Sequence, residues 1–177
     1  MARRQDAARR RGARALTARG APPIFIVHDI VCARAALQAA READVRIVLR
    51  SPPGAIHALG LGFLVALFDE VRQAESDVPH ESVIDCDDDA ARAHRALALG
   101  QRQVAFRGHR AAQRRLESVA AQLKATLLRG GVPRGASVLD DPATAMATAL
   151  AVLQSRARPA KEGSKKKQPP PPRETKP

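Results

Sequence analysis

The sequence predicts an α/β domain built on one mostly parallel sheet. Short apolar, β-rich runs recur along the chain, longer runs with helical periodicity follow them, and polar or acidic residues mark each junction. The stretch SVIDCDDD at 82–89 shows this most clearly, because an apolar run ends in acids and leads into an alanine-rich helix. Five such strand–helix pairs imply a five-stranded sheet with helices on both faces.

Each strand prediction rests on a short run of apolar and β-branched residues. The predicted strands are residues 24–27, 45–49, 82–86, 103–106 and 136–139. For this number of elements we expect a Rossmann-like fold with the flavodoxin-like strand order 2-1-3-4-5. The alternative is a half-barrel that pairs with a copy of itself, because a closed eight-stranded barrel needs about 200–250 residues or more.

Each helix prediction rests on apolar residues three or four positions apart and on a start or stop signal. Asp29 can cap the first helix, and Gly100 can end the third. The predicted helices cover residues 30–43, about 61–74, 88–99, a segment that is ended by Gly130, Gly131 and Pro133, and a segment that begins at Pro142. The clearest apolar stripe is Leu116, Val119, Ala120, Leu123 and Leu127.

The net charge of +12 resides in the two ends of the chain. Residues 1–23 carry seven arginines and one acid, residues 156–177 carry eight basic and two acidic residues, and the remainder holds 15 of each sign. We therefore expect an Arg-rich disordered tail at 1–22, a Lys- and Pro-rich disordered tail at 157–177, and a neutral α/β domain at 23–156. Any contact with nucleic acid, a membrane surface or an acidic partner would be made by the tails.

Cysteine usage and hydropathy favour a cytoplasmic protein. Cys32 and Cys86 lack the spacing of a disulfide framework or a zinc module. The N-terminus has no apolar signal-peptide core, and the longest apolar stretch, 55–68, is shorter than the roughly 18–20 residues of a membrane span. If the first and third strands are neighbours, the two thiols could approach each other and act as a redox pair or a thiolate nucleophile; otherwise each is a small buried residue.

Polar side chains gather where the predicted strands end, and the opposite connections are plainer. In an open parallel sheet, ligands bind outside the carboxyl ends of the strands. Guanidinium groups next to helix-start amides can hold a phosphate or carboxylate. The candidates for anion or cofactor binding are therefore Arg50, Ser51 and Arg107.

The same edge carries groups suited to proton transfer and metal binding. The candidates for general acid–base catalysis are His28, Asp85 and His109. Asp85 and Asp87 could supply carboxylate ligands to Mg²⁺, which prefers oxygen and keeps several waters. Acids in such loops also serve as helix caps, so each carboxylate has a structural interpretation as well.

No motif in the sequence specifies a reaction. The sequence favours a small α/β domain that binds a small anionic ligand at its strand ends, with catalysis left open. One alternative is a non-enzymatic interaction or scaffold protein that acts through its basic tails. The other is a half-barrel subunit that is active only as an oligomer.

Removing residues 1–22 and 157–177 should leave ligand-induced stabilisation intact, because the predicted site lies in the neutral domain. Thermal unfolding of residues 23–156 against phosphates, nucleotides, carboxylates and divalent ions tests this expectation. A ligand at 100 times its Kd adds about 2.7 kcal/mol to the free energy of unfolding. Polyanion binding by the truncated domain, with a steep salt dependence, would contradict the neutral-domain assignment.

Overall fold

A computed structural model describes residues 21–157 of the chain. The predicted tails lie outside this range, apart from residues 21, 22 and 157. Within it the fold class is confirmed as α/β with a parallel sheet flanked by helices. The strands are β1 (Ile24–Val27), β2 (Ile47–Arg50), β3 (His80–Asp85), β4 (Gln103–Phe106), β5 (Thr126–Arg129) and β6 (Ser137–Leu139). All neighbouring strands are parallel, in the order β5-β4-β3-β2-β1-β6.

A helix follows each strand except β5, and two helices follow β2. They are α1 (Ile30–Ala43), α2 (Ala55–Ala58), α3 (Gly60–Ala74), α4 (Ala90–Ala98), α5 (Arg110–Gln122) and α6 (Ala145–Ala157). Asp29 caps α1 by accepting from the Cys32 amide at 2.7 Å, and Asp89 caps α4 by accepting from the Arg92 amide at 2.8 Å. Among the described helices, none is long and apolar enough to cross a membrane.

The main core lies on one face of the sheet. Phe25, Leu49 and Ile84 point to this face and share one buried cluster with residues of all six described helices. Successive side chains of a strand point to opposite faces, so Val48 and Val83 point the other way. They form a second cluster with Ala105, Ile24 and Leu128, to which no described helix contributes. We call this second side the helix-free face.

The topology corrects three expectations. The sheet has six strands rather than five, and the flavodoxin-like order 2-1-3-4-5 is wrong. From β1 to β5 each strand lies beside its predecessor, so the four right-handed crossovers step in one direction. When successive crossovers have the same hand and step in the same direction, their helices lie on one face of the sheet. The sequence analysis had expected helices on both faces. The order of β1 to β5 is that of the half-barrel alternative, but β6 lies on the far side of β1.

The connection from β5 to β6 has to return across the sheet. Because this step runs in the opposite direction, a right-handed connection passes over the helix-free face. The contacts agree: the Gly131 amide donates to the Asp85 carboxylate at 2.9 Å, and Asp85 points to the helix-free face because its neighbour Ile84 points to the helices. We call residues 130–136 the crossover segment.

The edge strand β5 was missed by the sequence prediction, which continued the preceding helix to Leu127. In the structure α5 ends at Gln122, and Lys124 adopts a left-handed conformation with φ of 54°. The amides of Lys124 and Ala125 donate back to Ala121 and Ala120 at 3.2 and 2.8 Å, which closes the helix. Glycine usually occupies such a position, so a lysine there did not indicate the end of the helix in the sequence.

Replacing Lys124 by Gly should raise the free energy of unfolding by about 1 kcal/mol, because the left-handed conformation is unfavourable for a residue with a Cβ. Thermal unfolding should show a melting temperature higher by about 2–6 °C. The control is Arg115→Gly in the middle of α5, which should cost about 1 kcal/mol. A Lys124→Gly protein that melts below the wild type would mean that α5 does not end here.

Candidate functional site

A buried ion pair joins the carboxyl ends of β2 and β3. Arg50 Nη2 lies 2.8 Å from Asp85 Oδ2, and the two side chains are 4% and 0% exposed. Arg50 and Asp85 are the last residues of neighbouring parallel strands, and both point to the helix-free face. The sequence analysis assigned both residues to the site edge, and the structure brings them into direct contact.

The remaining polar atoms of Asp85 are also engaged. Its Oδ2 accepts from the Gly131 amide at 2.9 Å, its Oδ1 accepts from the Asp87 amide at 2.9 Å, and its own amide donates to Ser51 Oγ at 2.9 Å. Ser51 is completely buried. Both oxygens of Asp85 therefore serve internal hydrogen bonds, an arrangement suited to holding backbone segments rather than to binding a metal or moving a proton.

Arg50 extends the same network to β5. Its Nη2 donates to the main-chain oxygen of Arg129 at 2.8 Å as well as to Asp85. Its Nε is buried and has no hydrogen-bond partner among the described residues. A buried donor without an acceptor is unfavourable, so placing Arg50 beside Asp85 and Arg129 has a free-energy cost at Nε.

Asp87 connects the loop after β3 to the end of β4. Its Oδ1 accepts from Arg107 Nη2 at 2.9 Å, and its main-chain oxygen accepts from the Arg107 amide at 2.6 Å. Asp87 has a left-handed φ of 50°, which an aspartate tolerates better than most residues. The loop conformation thus holds Arg107 from both its main chain and its side chain.

A cavity of about 540 Å³ opens beside Arg107, between the end of β4, the end of β5 and one flank of α5. We call it the arginine cavity. Its lining residues are Phe106, Arg107, Gly108, Arg110, Gln113, Arg114, Glu117 and Arg129. Among the described residues, Arg107 is the only one of its four arginines that forms an ion pair. The lining holds these four arginines and one acid, Glu117, so the cavity carries a net positive charge even with Arg107 paired to Asp87.

Two glycines allow the close packing at the cavity wall. A Cβ on Gly108 would lie 2.3 Å from the ring of Phe106, and a Cβ on Gly130 would lie 2.8 Å from the Cβ of Arg107. The Gly130 amide donates to the Phe106 main-chain oxygen at 2.9 Å, which continues the pairing of β5 with β4. Glycine at 130 lets the two strand ends that carry Arg107 and Arg129 approach each other, and glycine at 108 leaves room for the Phe106 ring.

The histidines predicted for acid–base chemistry have other surroundings. His28 is exposed after β1. His109 caps α5, with its Nδ1 accepting from the Ala111 amide at 3.2 Å. Neither histidine is among the hydrogen-bond partners of Asp85 within residues 21–157. The three candidates for catalysis are therefore not joined by hydrogen bonds in the described chain.

The predicted magnesium ligands do not present a shared open site. Both oxygens of Asp85 accept hydrogen bonds from within the protein, and Asp87 is paired with Arg107. A different set, His57, Asp87 and Asp88, has ligand atoms within 4.8 Å of one another. Arg92 Nη1 lies 3.1 Å from His57 Nδ1, and Arg107 is paired with Asp87. The positive charges of these two guanidinium groups oppose the binding of a cation by this set.

Cys32 and Cys86 are buried, unpaired thiols. Because β2 lies between β1 and β3, the condition for a redox pair, neighbouring first and third strands, is not met. Burial, followed by the hydrogen bond and charge of Asp29, raises the pKa of Cys32 to about 11. Burial, followed by the charge of Asp85, raises the pKa of Cys86 to about 12. Both thiols are therefore protonated and weakly nucleophilic at neutral pH.

The sequence analysis missed Arg110, Arg114 and Arg129 in the cavity wall. Arg107, Arg110 and Arg114 are three and four positions apart, a spacing that places them on one side where the chain enters a helix. That signal was present but was not used. Arg129 carried no signal, because its strand had been assigned to a helix.

Comparison with protein-family models finds no match for this chain, and comparison with curated proteins finds none either.

The thiols of the folded protein should react slowly with a disulfide reagent at pH 8, and both should react rapidly in guanidinium chloride. The free energy of unfolding should fall as pH rises above about 9, the usual thiol pKa, because the unfolded chain then releases protons that the folded chain keeps. The loss should continue to about pH 11 for Cys32 and pH 12 for Cys86. Rapid labelling of either native thiol at pH 8 would contradict their burial.

Proposed function

We propose that this chain binds a small anion bearing phosphate or carboxylate groups in the arginine cavity. The observation that carries the proposal is the convergence of Arg110, Arg114 and Arg129 on one cavity, where no described carboxylate pairs with them. Guanidinium groups that share a cavity repel one another, and a bound anion would turn this repulsion into attraction. An anionic ligand is thus the partner that the charge distribution favours.

The chemistry of the lining supports phosphate or carboxylate in particular. Arginine presents a planar fork of donors that matches two oxygens of either group. Arg110 begins α5, a helix of 13 residues, so the positive end of its macrodipole adds to the charge of the side chains. Arg107, proposed as an anion ligand from the sequence, contributes from the end of β4.

The size and composition of the cavity narrow the ligand class. A volume of about 540 Å³ suits a small molecule. The chain has no Trp or Tyr, and Phe106 is only 2% exposed, so the cavity offers no aromatic surface on which a base could stack. Glu117 places one negative charge at one wall, where its Oε1 accepts from Gln113 Nε2 at 2.9 Å, so an anion would bind at the arginines. Charge, rather than stacking, is the expected basis of recognition.

The proposal concerns binding, in a cytoplasmic protein with reduced thiols, and assigns no catalytic group. A resident Mg²⁺ is not part of it, because arginines supply the positive charge. The interaction alternative depends on tails outside the described residues. The half-barrel oligomer has the strand order of β1 to β5 in its favour, but the crossover segment lies on the face that would line a barrel interior.

Replacing Arg114 by Ala should weaken binding of inorganic phosphate or pyrophosphate about tenfold, because it removes a charged hydrogen-bond donor from the cavity. Isothermal titration calorimetry on the full chain measures the affinity. The matched control is Arg115→Ala, which removes the same charge from the next position of α5 but lies outside the cavity lining. Absence of binding by the wild type, or equal losses for the two variants, would refute the proposal.

A further inference from the structure

We propose that Asp85 is a positioning residue that sets the placement of Arg107 and Arg129 in the arginine cavity, an inference that rests on the anion-binding proposal. Asp85 itself is not among the residues that line the cavity. Its two carboxylate oxygens begin two separate chains of hydrogen bonds, and each chain ends at one of these arginines. The affinity and selectivity of the cavity would then depend on a buried side chain that the ligand does not touch.

The first branch starts at Asp85 Oδ2 and reaches Arg129. Oδ2 accepts from Arg50 Nη2 at 2.8 Å and from the Gly131 amide at 2.9 Å. The same Arg50 Nη2 donates to the main-chain oxygen of Arg129 at 2.8 Å. The residues on both sides of Gly130 are thereby held, which fixes the end of β5 from which the Arg129 side chain projects.

The second branch starts at Asp85 Oδ1 and reaches Arg107. Oδ1 accepts from the Asp87 amide at 2.9 Å, and Asp87 Oδ1 accepts from Arg107 Nη2 at 2.9 Å. The main-chain oxygen of Asp87 also accepts from the Arg107 amide at 2.6 Å. Holding Asp87 in its left-handed conformation therefore orients a carboxylate toward Arg107.

The buried ion pair is better suited to geometry than to stability. Two charges removed from water lose hydration that their mutual attraction only partly restores, so such a pair contributes little net stability compared with apolar side chains. Here Arg50 also leaves Nε without a partner among the described residues. What the pair does supply is direction, because a carboxylate and a guanidinium hold several donors and acceptors at fixed angles.

The other two cavity arginines provide an internal control. Arg110 and Arg114 lie on α5, and within the described chain neither is hydrogen-bonded to Asp85, Asp87 or Arg50. Substitution of Asp85 should therefore change only the contributions of Arg107 and Arg129 to the anion affinity. A general loosening of the protein would affect all four arginines alike.

Double-mutant cycles on the full chain test this, with pyrophosphate affinity measured by calorimetry. Asp85→Asn should weaken binding, and its effect should be about threefold to tenfold smaller in an Arg107→Ala or Arg129→Ala background than in the wild type. In an Arg114→Ala background its effect should be unchanged. If the free-energy effect of Asp85→Asn simply adds to the effect of each of the three arginine variants, the positioning role is refuted and the anion-binding proposal stands. If the wild type does not bind pyrophosphate, both proposals are refuted.

Asp87→Asn provides a second test that does not disturb the buried pair. The Asp87 side chain is 21% exposed, and asparagine tolerates the left-handed conformation well, so this variant should fold. The substitution replaces the charged hydrogen bond to Arg107 by a weaker neutral one and leaves the branch to Arg129 unchanged, so it should weaken pyrophosphate binding and couple with Arg107→Ala but not with Arg129→Ala. Tighter binding by Asp87→Asn would overturn the inference, because it would mean that Asp87 acts only as a competing negative charge.

Discussion

The ion pair between Arg50 and Asp85 connects the parts of this protein that sequence order keeps apart. It joins the ends of β2 and β3, and through the Arg129 carbonyl and the Gly131 amide it also holds β5 and the crossover segment. The pair is almost fully buried, so screening by salt is weak and its geometry is well defined. The carboxyl edge of the sheet is organised by these two side chains.

The one-sided arrangement of helices follows from the strand order and explains why that pair is needed. With α1 to α6 on one face, the returning connection must pass over the other, where it has no helix to pack against. Asp85 anchors this segment by accepting from the Gly131 amide, and Arg50 holds the last residue of β5 next to it. Parallel pairing places β5 beside β4, and the arginine cavity lies where the ends of these two strands meet α5.

Sequence reasoning located the sheet edge that carries the candidate site but not the position of the cavity along that edge. In an open sheet the usual site is where the strand order reverses, which in this topology is at β1, between β2 and β6. The arginine cavity lies instead at β4 and β5. Arg107 was identified from its place after a strand. Arg129 was not, because Leu127 fits the apolar stripe of a longer helix as well as the buried side of a short strand, and the sequence analysis chose the helix. Lys124 concealed the helix end for a similar local reason.

The sequence by itself determined the fold class, most element positions and the gathering of polar residues at the strand ends, because local periodicity and capping preferences are properties of neighbouring residues. Tertiary structure alone decided the strand order, the single helical face and the partners of Asp85. Those features depend on contacts between residues far apart in the chain, such as Asp85 with Arg50 and Gly131, which no local pattern encodes. A carboxylate that could have served a metal or a proton transfer became a structural acceptor because two distant donors, Arg50 and Gly131, converge on it together with the nearby amide of Asp87.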